Sequence, residues 1–126
     1  MKKLLSILFV VLFVSVGCAQ QHEFKNITVE ELQKEMQTDS TLVVLDVRTP
    51  AELTGPLGKI DGVINIPVQV LEQKVDELEK YKDRKIAVIC RSGNRSRMGT
   101  EILLKHGFNA VNVLGGMKAY SKMMKK

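Results

Sequence analysis

Cys90 ends the apolar run "KIAVIC" (85–90), and behind it come Arg91, Ser92, Gly93, Asn94, Arg95, Ser96 and Arg97. A cysteine that only fills a core behaves as a small hydrophobe, and such a site has no use for three arginines and two hydroxyls. A thiol at the end of a strand, leading through a glycine-containing turn into a helix, meets backbone N–H groups that can curl into an anion-binding nest. The partial positive charge of the helix N-terminus lies behind them. Such surroundings favour thiolate over thiol and make the sulfur a nucleophile near neutral pH. Arg91, Arg95 and Arg97 put positive charge where the helix macrodipole already opposes it, and a bound anion explains that better than a solvated helix start. No histidine or carboxylate is adjacent in sequence to serve as a base. Activation therefore falls to the loop, with Cys90 as the covalent nucleophile.

A strand must deliver that sulfur and a helix must follow it. "TLVVLDVR" (41–48), "VINIP" (63–67), "KIAVIC" (85–90) and "AVNVL" (110–114) read as strands, each an apolar run rather than an alternating pattern. Thr28 followed by Glu31 is a capping-box pattern that starts a helix at about residue 29, with Ile27 and Leu32 at the flanking staple positions. Thr49 and Glu52 repeat it, with Pro50 at the first helical position. Val68, Leu71, Val75 and Leu78 recur at helical spacing across 68–80, a helix is expected over 96–106 with Gly107 closing it, and residues 115–126 end the chain as a helix. Strands alternating with helices predict a parallel α/β sheet covered on both faces. In such sheets ligands gather at the carboxyl ends of the strands. Cys90 lies at that edge, and so do Asp46 and Arg48, which read better as a local ion pair fixing the turn than as groups that orient the loop or line the pocket, and neither reads as catalytic. Glu52 is read first as a helix cap, with partnership to a loop arginine as its other reading.

The N-terminus carries a processing signal rather than fold. A basic start, Lys2-Lys3, precedes an apolar run over 4–16 broken only by Ser6 and Ser15, and Gly17-Cys18-Ala19 follow. That run suits a secretory signal and is short for a bilayer span. Cleavage after Ala19 would release a soluble exported protein. "SVGC" (15–18) instead resembles the lipobox of bacterial lipoproteins, with Ser15 where leucine is usual, and makes Cys18 the lipidation candidate. The expected organisation is a signal peptide over 1–18, a tether over 19–25 and one domain over 26–126, exported to the periplasm or anchored in the cell envelope. Without residues 1–18 the net charge falls from +5 to 17 − 14 = +3. Both signs are mixed along the chain, which gives no case for nucleic-acid binding. His22 and His106 with one remaining cysteine make no metal-ligand set.

"CRSGNRS" (90–96) resembles the active-site loop of single-domain rhodaneses, a family of sulfurtransferases. "LDVRTPAEL" (45–53) is similar to that family's Asp-Val-Arg segment, "GVINIP" (62–67) to its Gly-Ala-x-x-Ile-Pro strand, and "VNVLGGMKAY" (111–120) to its closing Gly-Gly-x-x-x-Trp. Order and spacing also fit, over about residues 26–120. The resemblance implies a three-layer α/β fold with a central parallel sheet of about five strands flanked by helices on both faces. It implies that Cys90 takes sulfur from a small anionic donor such as thiosulfate and carries it as a persulfide to a thiol or protein acceptor. Loop N–H groups over residues 91–96 would hold the anionic sulfur, Arg91 and Arg95 would grip the donor's oxyanion, and no cofactor or metal is needed beyond the persulfide. Membrane contact would come only through the lipid anchor. Phosphatases of the same fold place five residues between cysteine and arginine. Four separate Cys90 from Arg95, a cradle sized for one sulfur atom rather than a phosphate. Lys59 stands where family members often carry histidine, and Tyr120 where tryptophan is common, which bears on partner or substrate preference. The alternatives are a non-catalytic rhodanese-like binding module and a thiol redox protein, which would need an external thiol to turn over.

Overall fold

The computed structural model describes residues 25–126. The expected signal peptide, Cys18 and all of the tether except Lys25 lie outside the described residues. Five strands and five α-helices follow in the order β1 (Asn26–Ile27), α1 (Val29–Thr38), β2 (Val43–Asp46), α2 (Pro50–Leu53), β3 (Ile64–Asn65), α3 (Val68–Lys74), β4 (Lys85–Ile89), α4 (Asn94–Lys105), β5 (Asn109–Val113) and α5 (Gly116–Met124). The strands form one sheet in the order β1-β5-β4-β2-β3, and every pairing is parallel.

Side chains alternate across a strand, so an unbroken apolar strand feeds two cores. Along β4, Ile86 and Val88 enter one core, and Cys90 just past the strand's end continues that side; Ala87 and Ile89 enter the other. The first core is closed by Val68 and Leu71 of α3 and Leu103 of α4, the second by Leu32 of α1 and Met117 of α5. Each fully buried leucine or isoleucine contributes roughly 1.5–3 kcal/mol. Gly99 lets α4 lie close on the sheet, since a Cβ there would stand 3.1 Å from Val88 and 3.3 Å from Val47.

Three details differ from the sequence reading. The first strand, β1, was not expected, because two residues carry no periodicity to read. The helix expected over 68–80 is α only to Lys74 and continues as a 3-10 segment over Val75–Tyr81. Val75, Leu78 and Tyr81 recur every third residue, the period of a 3-10 turn, and all three pack on the first core. Finally, α4 begins at Asn94 rather than 96, immediately after Gly93 at φ +112°.

Candidate active site

β4, at the centre of the sheet, delivers Cys90 to its carboxyl edge, where the residue is only 1% exposed. The chain then turns sharply. Gly93 adopts a positive φ that other residues rarely take, and its N–H donates to Cys90 Sγ at 3.0 Å. The thiol donates in turn to Ser96 Oγ at 3.3 Å, and the Ser96 hydroxyl donates to the Gly93 carbonyl at 3.0 Å. Cys90, Gly93 and Ser96 thus close a buried hydrogen-bonded ring at the start of α4.

The far side of the loop is held by another helix. The N–H of Met117 donates to the Cys90 carbonyl at 2.8 Å, and that of Lys118 to the Arg91 carbonyl at 3.0 Å. These are free N–H groups of the first turn of α5, the donors every helix start leaves over. Both carbonyls are thus held by the start of α5. The approach is so close that a Cβ on Gly116 would lie 2.5 Å from the Cys90 oxygen and 2.6 Å from the Arg91 carbonyl. The Gly115-Gly116 pair is explained by that contact and by φ values of +76° and +57°.

Arg95 gives both terminal nitrogens to Glu52, at 2.7 and 2.8 Å. Glu52 Oε1 also receives the Thr49 hydroxyl at 3.1 Å and its N–H at 3.3 Å, the capping box at the start of α2. The Arg95 hydrogen bonds are the largest cause holding the Glu52 carboxyl down to about 2, and the same pairing raises Arg95. Both readings of Glu52 therefore hold at once. Arg95 is engaged with Glu52 instead of standing free for a donor's oxyanion, as the sequence had suggested. Arg91, Ser92 and Asn94 are exposed on the outer rim, as is Arg97 further along α4.

Asp46 and Arg48 form a buried pair at 2.8 Å with exposures of 0% and 1%. Arg48 also donates to the carbonyls of Gly58 at 2.8 Å and Glu52 at 3.3 Å. Its contacts run to backbone behind the site, so the two residues brace α2 and the turn that follows it. The resemblance supplied the Gly-Gly pair, but neither periodicity nor spacing pointed to the N-terminus of α5 as a wall of the site. Among the described residues no group of three or more His, Cys, Asp or Glu side chains is gathered for a metal.

Residues 28–123 match the Rhodanese-like domain family. The chain is 35% identical over 98 residues to YtwF of Bacillus subtilis (strain 168), named as a candidate sulfurtransferase, spanning 78% of this chain and 91% of that protein. It is 30% identical over 94 residues to a sulfurtransferase of Allochromatium vinosum, spanning 74% and 84%. Among solved structures, a rhodanese-related protein from Thermoplasma volcanium superposes with a TM-score of 0.71 at 38% identity, covering 79% of this chain and 93% of that one. A rhodanese-like domain protein from Staphylococcus aureus gives 0.70 at 31%, covering 77% and 91%.

Proposed function

The chain belongs to the rhodanese-like domain family, and from that premise we propose that it is a sulfurtransferase carrying sulfane sulfur on Cys90, with thiosulfate as a competent donor. Membership and relatives named as sulfurtransferases support sulfur transfer in general. The observation that carries the finer reading is the Gly93 N–H aimed at Cys90 Sγ at 3.0 Å, in a loop whose preceding carbonyls are occupied by α5. The Cys90 thiolate attacks the outer sulfur of thiosulfate. A Cys90 S–S bond forms, the bond to the sulfonate sulfur breaks, and sulfite leaves with the electron pair. A thiol or protein acceptor, or cyanide in the assay, then attacks the outer persulfide sulfur and the Cys90 thiolate departs. The loop stabilises negative sulfur in both halves. Arg91, exposed on the rim, meets the donor's sulfonate, while Arg95 keeps the loop on α2 through Glu52. The persulfide is the only carrier, and no other cofactor enters.

The protein acts in the cell envelope on this reading, exported by its N-terminal signal, which is cut before Cys18, and held there through lipid on Cys18. Its test is direct. Incubated with thiosulfate and weighed intact, the protein should gain one sulfur atom, Cys90→Ser should gain none at that site, and added cyanide should release thiocyanate. A wild-type chain that gains no sulfur from thiosulfate or a polysulfide would leave a binding module as the better description.

A further inference from the structure

We propose that the Ser96 hydroxyl is a proton switch that completes the sulfur cradle whenever Cys90 becomes negatively charged, which makes Ser96 a catalytic residue. It rests on the reading above only in taking Cys90 to react as a thiolate. A serine hydroxyl has one proton and two lone pairs. In the structure that proton is given to the Gly93 carbonyl at 3.0 Å, and a lone pair accepts the Cys90 S–H at 3.3 Å. With the Gly93 N–H on the same sulfur, the set fits a neutral thiol, which gives one hydrogen bond and receives one.

A thiolate has no proton to give. Once the thiol proton leaves to solvent, the Ser96 lone pair would face a negative sulfur. Cys90 is 1% exposed and Ser96 0%, so bulk water does not relieve the mismatch. Turning the Ser96 O–H from the Gly93 carbonyl onto the sulfur removes that repulsion and adds a charge-assisted hydrogen bond. The carbonyl is not stranded, because the Arg97 N–H also donates to it, at 3.3 Å. Nor need the backbone shift, because Ser96 Oγ already lies 3.3 Å from Cys90 Sγ and 3.0 Å from the Gly93 carbonyl. Only one hydrogen moves. The same switch serves both half-reactions, since a thiolate attacks in the first and leaves in the second.

Other charges around the loop keep their places through this change. Asp46 stays with Arg48 at the end of β2, and Glu52 of α2 stays with Arg95. Arg91 on the loop, Arg97 on α4 and Lys118 on α5 are exposed. They act on wild type and Ser96 variants alike.

The test is the pH profile of Cys90 alkylation by iodoacetamide in the full chain, read at Cys90 by peptide mass so that Cys18 does not contribute. Ser96→Ala should move the midpoint upward by about one pH unit or more, the size expected when a hydrogen bond to a charged group is lost. Ser96→Thr, which keeps the hydroxyl, should return it toward wild type. A merely structural hydroxyl would lower the Tm of Ser96→Ala and leave the midpoint in place, and that result overturns the proposal. Should Ser96→Ala fail to fold, the Arg97 amide resonance of the wild-type protein gives the answer. It should titrate with the alkylation midpoint as the Gly93 carbonyl becomes its own, and a resonance that stays fixed overturns the switch. Alkylation needs no sulfur donor. A chain that takes no sulfur yet shows the Ser96 shift would therefore sink the transferase reading, and with it the catalytic role, while leaving the hydroxyl's turn onto the thiolate in place.

Discussion

The carboxylate of Glu52 receives Arg95 through both oxygens and caps α2 through Thr49, so one side chain ties the start of α2 to the start of α4. Its carboxyl is held down to about 2 from 4.5. A lowered pKa stabilises the fold fully above the unfolded value, and the contribution is lost as pH falls through the folded one. The pairing should therefore be complete above about 4.5 and fade toward about 2. Glu52→Gln is expected to lower stability near neutral pH by about 1 kcal/mol, a modest figure because the pair is partly exposed and screened. In urea unfolding the gap between the two proteins should narrow across that window. A constant gap would assign the loss to the cap alone. The cap was legible because Thr49 and Glu52 are three residues apart. Arg95 lies 43 residues from Glu52, and no local pattern chooses among three loop arginines.

The loop that follows Cys90 hangs between two helix starts. Gly93, just before α4, and Ser96 within it meet the sulfur, and α5 takes the carbonyls of Cys90 and Arg91. The elements deciding the geometry are thus a glycine turn and a pair of helical N–H groups, not a wall of side chains. Gly116→Ala should be severe. Its Cβ would stand 2.5 Å from the Cys90 oxygen, and backbone cannot yield as a flexible side chain can. We expect a loss of roughly 2 kcal/mol or more from overpacking and positive φ together, with sulfur uptake impaired in whatever folds. Gly58→Ala is the control. It shares the positive φ, at +62°, but meets nothing within 4 Å, so it should cost about 1 kcal/mol and leave sulfur uptake intact. Equal losses of uptake in the two variants would show that backbone freedom, and not the approach of α5, is what matters. Most element types were readable from apolar runs and capping pairs. The two-residue β1 and the 3-10 continuation of α3 were not, because both are set by what they pack against.

Taken whole, the molecule places the Cys90 sulfur where a parallel sheet presents strand ends. β4 lies third of five strands, so both neighbours pin its direction, and Val47 extends the pairing by donating to the Ile89 carbonyl at 2.9 Å, one residue before Cys90. The buried Asp46–Arg48 pair then fixes the adjoining edge. Among the described residues no helix is long and apolar enough to cross a membrane. On our reading attachment is through Cys18, ahead of the domain. The full chain made in a bacterial host should partition into the detergent phase, and Cys18→Ala should send it to the aqueous phase. Partitioning that survives the substitution would rule out lipidation at Cys18 as the anchor.

The parallel α/β class and the place of Cys90 at the sheet's carboxyl edge were both present in residue order, because periodicity and capping are local properties of the chain. The family resemblance added the Gly-Gly pair without saying what it touches. The partner of Arg95, the N-terminus of α5 as the support of the loop and the two bonds of the Ser96 hydroxyl came from folding. Each depends on which N–H, carboxylate or carbonyl a distant segment brings within about 3 Å, the reach of a hydrogen bond, and residue order does not encode that distance.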